Sequence, residues 1–299
     1  MSNSIQTENL SRNFGRVEAV RDLNLVVPQG AIYAMVGPNG AGKTTAIKIM
    51  MNILAPTGGH ATVLGIDSRK IEGRAFASIG YISENQQLPE WMRVGGLLDY
   101  LRPFYPTWDC DLEKDLVRQF DLPLERRLKQ LSRGMKMKAA LASSLAYRPK
   151  LIVLDEPFSG LDPLVRDELI EGLLGLAAES TILISSHDLA EIETFASHVG
   201  YLEKGSLRLS EEITTLAERF REVEIAFDTE PTLPKRLPEE WMQLAASACV
   251  IRFVDSRFDP AHTAEKISEL FANVRDVTFS PMSLRSIFLS MAKASRGAA

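Results

Sequence analysis

Short apolar runs recur along the first two-thirds of the chain, and between them the apolar residues fall every three or four positions. Ala31–Val36 and Leu151–Leu154 carry no charged interruption, the pattern of strands covered on both faces of a sheet, and Ile79–Ser83 and Thr181–Ser185 read the same way. Helical spacing follows these runs. Thr45–Leu54 reads as one helix, Leu131–Met135 opens another that continues to about Tyr147 and stops ahead of Pro149, and Pro163 to Ala178 makes a third. Asp188 is expected to begin the next. From Trp91 to Tyr147 the helical period takes over: Val94, Leu97, Leu98 and Leu101 share one face, and Leu112, Leu116 and Phe120 another. Gly95-Gly96, Pro103, Pro106 and Pro123 divide this stretch into short helices.

The two ends of the chain differ from this middle. Ile5–Leu10 and the alternating Val20, Leu23, Leu25 and Val27 predict strands on either side of a turn at Asn13-Phe14-Gly15. Pro56–Gly59 reads as a turn ahead of a strand at His60–Gly65. A helix closes over Leu216–Phe220. Beyond it, strands at Val223–Phe227, Cys249–Val254 and Val274–Phe279 and helices at Ala261–Phe271 and Ser283–Lys293 form a separate small unit, with the Pro-rich 229–238 segment as a loop. Strand alternating with helix over 31–200 argues for a mainly parallel sheet flanked by helices. The expected architecture is therefore α/β: a domain at 1–220 with N-terminal antiparallel β elements and a helical insertion at about 85–150, then a small α+β domain at 221–299.

Composition narrows the partners. The net charge of -5 supplies no basic field for nucleic acid or an anionic membrane surface. Cys110 and Cys249 stand far apart, match no metal spacing and read as reduced thiols. The start Met1-Ser2-Asn3-Ser4 lacks the basic and apolar regions of a signal peptide, and no apolar run approaches the ~20 residues that span a bilayer. Any membrane role is expected to come through a partner.

The chemistry lies at the ends of the apolar runs. Gly37-Pro38-Asn39-Gly40-Ala41-Gly42-Lys43-Thr44-Thr45 follows a strand and opens a helix, the setting in which G-x-x-x-x-G-K-[ST] is a phosphate loop. Its glycines let backbone approach phosphate oxygens, and the amides of Gly40 to Thr45 point at an anion from a helix N-terminus. Lys43 reaches the β- and γ-phosphates, and the Thr44 hydroxyl holds Mg²⁺. Asp155 and Glu156 close the Leu151–Leu154 strand. There Asp155 is placed to hold Mg²⁺, directly or through water, and Glu156 to polarise a water for in-line attack. Phe14, upstream of the loop, has two readings, stacking on a nucleotide base or packing in the core.

Taken together, these segments resemble the nucleotide-binding domains of ATP-binding cassette (ABC) proteins, over about residues 4–215. The phosphate loop matches in full, Leu131-Ser132-Arg133-Gly134-Met135 resembles the signature Leu-Ser-Gly-Gly-Gln, Ser159-Gly160-Leu161-Asp162 matches the D-loop, and His187 matches the switch histidine. Phe14 falls where the family keeps its base-stacking aromatic, and Glu84 falls at the Q-loop position. The resemblance implies a P-loop NTPase fold and an ATPase using ATP and Mg²⁺. It further implies a head-to-tail homodimer or heterodimer, in which ATP on Lys43 and Thr44 of one copy is covered by Ser132 and Gly134 of the other. Asp162 would join that nucleotide contact. His187 would donate to the γ-phosphate and orient the water, and Glu84 would join Thr44 and Asp155 around Mg²⁺.

By the same resemblance the chain would be the ATP-hydrolysing subunit of an ABC transporter, held at the inner face of the cell membrane by a separate transmembrane permease. Trp91, Met92, Tyr100 and Phe104 are the expected docking surface, or else a small local core. Pro281–Leu289 is similar to the ending of ATPase subunits from bacterial exporters, which implies export, while Leu284, Ile287, Phe288 and Met291 read equally as an amphipathic stripe packed on the small domain. Three positions depart from the family: Arg133 replaces Gly, Met135 replaces Gln, and Glu84 replaces Gln. Two other readings stay open. One is an ABC ATPase acting on a scaffold outside transport, and the other is a nucleotide-gated interaction module that hydrolyses little. No nucleic acid is expected, and His60, His198 and His262 carry no assigned role.

Overall fold

The computed structural model describes residues 2–84, 86–175, 179–234 and 236–297. The chain divides into two compact units, Met1–Ser210 and Glu211–Ala299. The division falls ahead of the 220/221 boundary read from the sequence, so the helix at Ile213–Arg219 goes with the second unit.

The first unit opens with β1 (Asn3–Phe14), β2 (Val17–Leu23), β3 (Val26–Pro28) and β4 (Ile32–Val36), followed by α1 (Lys43–Met50). Next come β5 (Gly58–Val63), β6 (Ile66–Asp67), β7 (Ile79–Ser83), α2 (Val94–Leu101), α3 (Cys110–Gln119) and α4 (Arg133–Leu145). It continues through β8 (Leu151–Asp155), α5 (Pro163–Leu174), β9 (Thr181–Ser186), β10 (His198–Glu203) and β11 (Ser206–Glu212).

Two sheets share one core. The strands β4, β8 and β9 are buried at every position, which is why Ile32–Val36, Leu151–Leu154 and Ile182–Ile184 appear in the sequence as apolar runs, with buried polar residues only at the ends of β8 and β9. They lie inside a six-stranded sheet ordered β11-β10-β4-β9-β8-β7, parallel from β10 to β7. The N-terminal sheet, β2-β1-β5-β6 with β3 on β1, is antiparallel throughout. Helix α1 supplies Ala46, Ile47, Ile49 and Met50 to a core that also holds Ile5 and Val63 of the antiparallel sheet and Leu151 and Val153 of the parallel one. The phosphate loop is thereby fixed by packing on both sheets. Helices α2, α3 and α4 are the insertion between β7 and β8.

Several local expectations change. Asn13 and Phe14 belong to β1, paired with Glu18 and Val17, and the turn is Gly15-Arg16. Gly58 and Gly59 already lie in β5, with Gly58 opposite Ser11. Asp188 caps only a single turn, Leu189–Glu191, because Glu191 turns inward to accept from Ser186 Oγ at 2.8 Å and to pair with Arg166 Nη2 at 3.2 Å. The expected helix end at Ala178 and the loop residue Asn85 lie outside the described residues.

The second unit carries α6 (Ile213–Arg219), β12 (Arg221–Phe227), β13 (Trp241–Ser247), β14 (Val250–Asp255), α7 (Pro260–Leu270), β15 (Val274–Pro281) and α8 (Leu284–Gly297). Its sheet runs β13-β14-β12-β15, antiparallel at each pairing. Val223, Ile225, Phe227, Phe253 and Phe271 pack around Trp241, whose ring stacks on Phe253 at 4.0 Å between centroids. On α8, Leu284, Ile287 and Phe288 are buried, so this stripe serves a core. Among the described residues, no helix is long and apolar enough to cross a membrane.

Candidate active site

Four parallel strands deliver the reactive side chains at their carboxyl ends, the edge of an α/β sheet where ligands bind. After β4 comes the loop 37–42 and Lys43; Asp155 ends β8 and Glu156 follows it; His187 follows β9; Glu84 follows β7. They surround an open cleft of roughly 540 Å³ lined by Phe14, Ala19, Asn39 to Thr45, Glu84, Glu156, Ser159 and His187. That size is within the range of small-molecule and cofactor sites.

The loop is shaped by its own chain as much as by a ligand. A Cβ on Gly42, at φ 104°, would stand 2.2 Å from the Ala19 carbonyl, and one on Gly37 would stand 2.2 Å from that of Leu202. Gly42 also precedes α1 with no side chain capping the helix, which leaves the first-turn amides open toward the cleft. Lys43 is almost fully buried. It donates to the carbonyls of Gly37 at 2.6 Å and Pro38 at 3.3 Å and pairs with Glu156 Oε1 at 3.1 Å.

The other Glu156 oxygen, Oε2, lies 2.7 Å from His187 Nδ1. That hydrogen bond raises the His187 pKa above its ordinary value, because the carboxylate favours the imidazolium. Glu156 itself adopts φ 52°, an uncommon left-handed conformation for a residue with a side chain. Its amide donates to Ser185 Oγ at 3.0 Å, and Ser185 Oγ donates to Asp155 Oδ1 at 2.7 Å. Ser185 thus joins both acidic residues from beneath. In the sequence it stands simply at the end of a strand, and only the polar change after Thr181–Ile184 marks it.

Asp155 is buried, and burial raises its pKa against the opposing hydrogen bonds from Ser185 and Thr44. Thr44 Oγ1 donates to Asp155 Oδ1 at 3.0 Å. A hydroxyl and a carboxylate oxygen meeting beside the cleft are the hard donors that Mg²⁺ takes from protein, with water and phosphate supplying the remainder. These two residues fit that ion. Glu84, the third expected metal ligand, uses Oε1 to accept from Arg133 Nη2 and Ser159 Oγ, each at 2.8 Å. Ser159 and Arg133 hold its carboxyl below the usual carboxylate range.

Phe14 is about half exposed on the cleft wall, and the Arg12 guanidinium lies 4.6 Å from its ring centroid. Arg12 belongs to no motif, and the register of β1 shifts between Arg12 and Asn13, so strand alternation alone does not reveal this contact.

Six expected residues are absent from the cleft's lining: Gly37 and Pro38 lead into Asn39 and Asp155 precedes Glu156, whereas Ser132, Gly134 and Asp162 belong to other segments. Ser132 caps α4, its Oγ accepting from Met135 N at 3.2 Å. A Cβ on Gly134 would stand 2.9 Å from Val165 Cγ1, so this glycine lets the start of α4 approach α5. Asp162 caps α5 by accepting from Val165 N at 3.1 Å.

Comparison with known proteins agrees with this geometry. The family model for ABC transporters matches residues 20–159. The ABC transporter ATP-binding protein YtrB of Bacillus subtilis (strain 168) is 30% identical, covering 78% of this chain and 80% of its own. The chain belongs to the ATP-binding proteins of ABC transporters. The bacitracin transport ATP-binding protein BcrA of Enterococcus faecalis is 34% identical over 73% of this chain and 72% of its own. A solved ATP-binding subunit of an ABC transporter superposes with TM-score 0.66 at 27% identity, covering 72% of this chain and 92% of that one. The first unit therefore has the P-loop NTPase fold of an ABC ATPase, and the protein is an ATP-binding, ATP-hydrolysing transporter subunit.

Proposed function

We propose that the cleft holds Mg·ATP, with the triphosphate on the amides of Gly40 to Thr45 and on Lys43, the base against Phe14, and Mg²⁺ on Thr44 and Asp155. A bound Mg²⁺ supplies charge neutralisation across the phosphates. Glu156 accepts a proton from the attacking water, while His187, oriented by its bond to Glu156 Oε2, faces the terminal phosphate. The single observation that carries this reading is the chain Lys43–Glu156–His187, with contacts of 3.1 and 2.7 Å, at the carboxyl ends of adjacent parallel strands.

Two copies pair head to tail, so that Ser132 and Gly134 of each close the cleft of the other. The standing of Ser132 outside its own cleft supports this, because one chain carries the second helix tip without applying it. Ser132 Oγ accepts from Met135 N and keeps its own hydrogen to donate to a phosphate. The first unit, Met1–Ser210, works as this ATPase, with its helical subdomain at about 85–150, and Glu211–Ala299 is an accessory domain. The ATPase is held at the inner face of the cell membrane by a separate permease on the exposed Trp91, Tyr100 and Phe104. Export is favoured by relatives named for bacitracin and lantibiotic transport, although another relative is named for aliphatic sulfonate import.

Glu156→Gln tests the core of the proposal. Its turnover falls on the order of 10²–10⁴-fold, ATP binding persists, and sedimentation with ATP finds a dimer that wild type does not accumulate. Normal turnover in this variant removes Glu156 as the base.

A further inference from the structure

Arg133 and Glu84 are both departures from the family pattern, and they contact each other. Arg133 is the first residue of α4, yet its guanidinium runs back across Gly160, where a Cβ would stand 3.0 Å from Nη1. Its Nη2 then reaches Glu84 Oε1 at 2.8 Å, the same oxygen that accepts from Ser159. Three segments far apart in sequence thus meet on one oxygen. The backbone of Glu84 is fixed as well, since its amide donates to the Asp155 carbonyl at 2.9 Å.

The charges of the cleft give this contact a purpose. Glu84 and Glu156 both line it, and Lys43 is already paired with Glu156. Without Arg133, the Glu84 carboxylate would face an entering triphosphate with only the Ser159 hydroxyl and the field of His187 to offset it. Arg133 is half exposed and Glu84 one-third exposed, so the pair adds little to folding stability. Its effect falls on the potential that the cleft presents to an anion.

We infer that Arg133 is a positioning residue for nucleotide affinity: by holding and neutralising Glu84, it lets a carboxylate stand at the mouth of the phosphate site without repelling ATP. This rests on the reading of the cleft as the ATP site. Arg133 therefore acts through Glu84, and the two substitutions work as one unit.

The test is a double-mutant cycle read as the Kd of ATP without Mg²⁺ by calorimetry, so that metal ligation by Glu84 does not enter. Arg133→Gly weakens binding roughly tenfold, a magnitude typical of one uncompensated charge in partly screened surroundings. In the Glu84→Gln background the same change has no further effect, and Arg133→Lys retains most of the wild-type affinity. Raising the salt concentration shrinks the Arg133→Gly penalty. Equal losses from Arg133→Gly in both backgrounds, or no loss in either, overturn the inference. Should Arg133→Gly fail to fold, Arg133→Gln takes its place in the same cycle, and the same outcomes support or overturn it. Lys43→Ala keeps the premises apart: if it leaves ATP binding unchanged, the cleft reading fails, whereas weakened binding beside an additive cycle defeats only the role of Arg133.

Discussion

The chain holds two helix tips built on the same principle, and it prepares them differently. The tip at Lys43 follows Gly42, has no side-chain cap, and turns its amides into a cleft that also contains a buried lysine and two carboxylates. The tip at Arg133 is capped by Ser132, and Ser132 and Gly134 stay out of that cleft's lining; only the half-exposed Arg133 side chain reaches back to Glu84 on its wall. An uncapped helix start is costly unless a ligand satisfies it, so the first tip is shaped for an occupant within its own chain. The second is already satisfied and can wait for a surface elsewhere. On the proposed reading, two ends of similar chemistry divide into one whose amides bind within the chain and one whose Ser132 and Gly134 are kept for a second copy.

Removing the lysine is the largest blow to this contrast. Lys43→Ala loses charge-assisted bonds to the phosphates, each worth roughly 1.5–3 kcal/mol, so calorimetry should find ATP affinity down at least about tenfold. Affinity that stays at the wild-type value would make the first tip incidental. Ser132→Ala comes next. Because Ser132 does not line the cleft, the affinity of a lone subunit for ATP should hold, while turnover at saturating ATP falls on the order of tenfold. Loss of the cap also lowers stability by about 1 kcal/mol, visible as a lower melting temperature. If Ser132→Ala instead weakens binding to an isolated subunit as Lys43→Ala does, both tips serve one cleft and the contrast collapses.

The smallest effect concerns His187. Glu156 favours its protonated form, so nuclear magnetic resonance should place its titration above that of an ordinary histidine, and Glu156→Gln should bring it down. In linkage terms, the contact steadies the nucleotide-free fold below about pH 6.5, and that increment disappears as pH rises through the raised His187 value. The side chain is 43% exposed, so the increment is slight.

What the sequence made readable was whatever is contiguous along it. The phosphate loop, the Asp155-Glu156 pair and His187 stand at the ends of apolar runs, and the parallel sheet carries each to one edge. Harder to read were features formed between distant residues. The replacements at 84 and 133 were visible, whereas their ion pair needed the fold. Ser185 looked like any serine closing a strand until it lay under two acids. The strand Trp241–Ser247 was hidden because its register shifts between Met242 and Ala245, where Gln243 takes φ 54°, which breaks the alternation that marks strands. Asp188 looked like the start of a helix because a local cap signal knows nothing of Arg166, which draws Glu191 inward.

The ion pair between Lys43 and Glu156 also sets an order of events. One ammonium stands between the resident carboxylate and any phosphate that arrives, so the two anions are rivals for it. As long as nothing contests the lysine, Glu156, the base on the proposed reading, keeps this partner. If the proposal holds, the newcomer that draws Lys43 away brings the very bond to be cleaved, and Glu156 is left with His187 as its partner, so readiness for chemistry would follow loading.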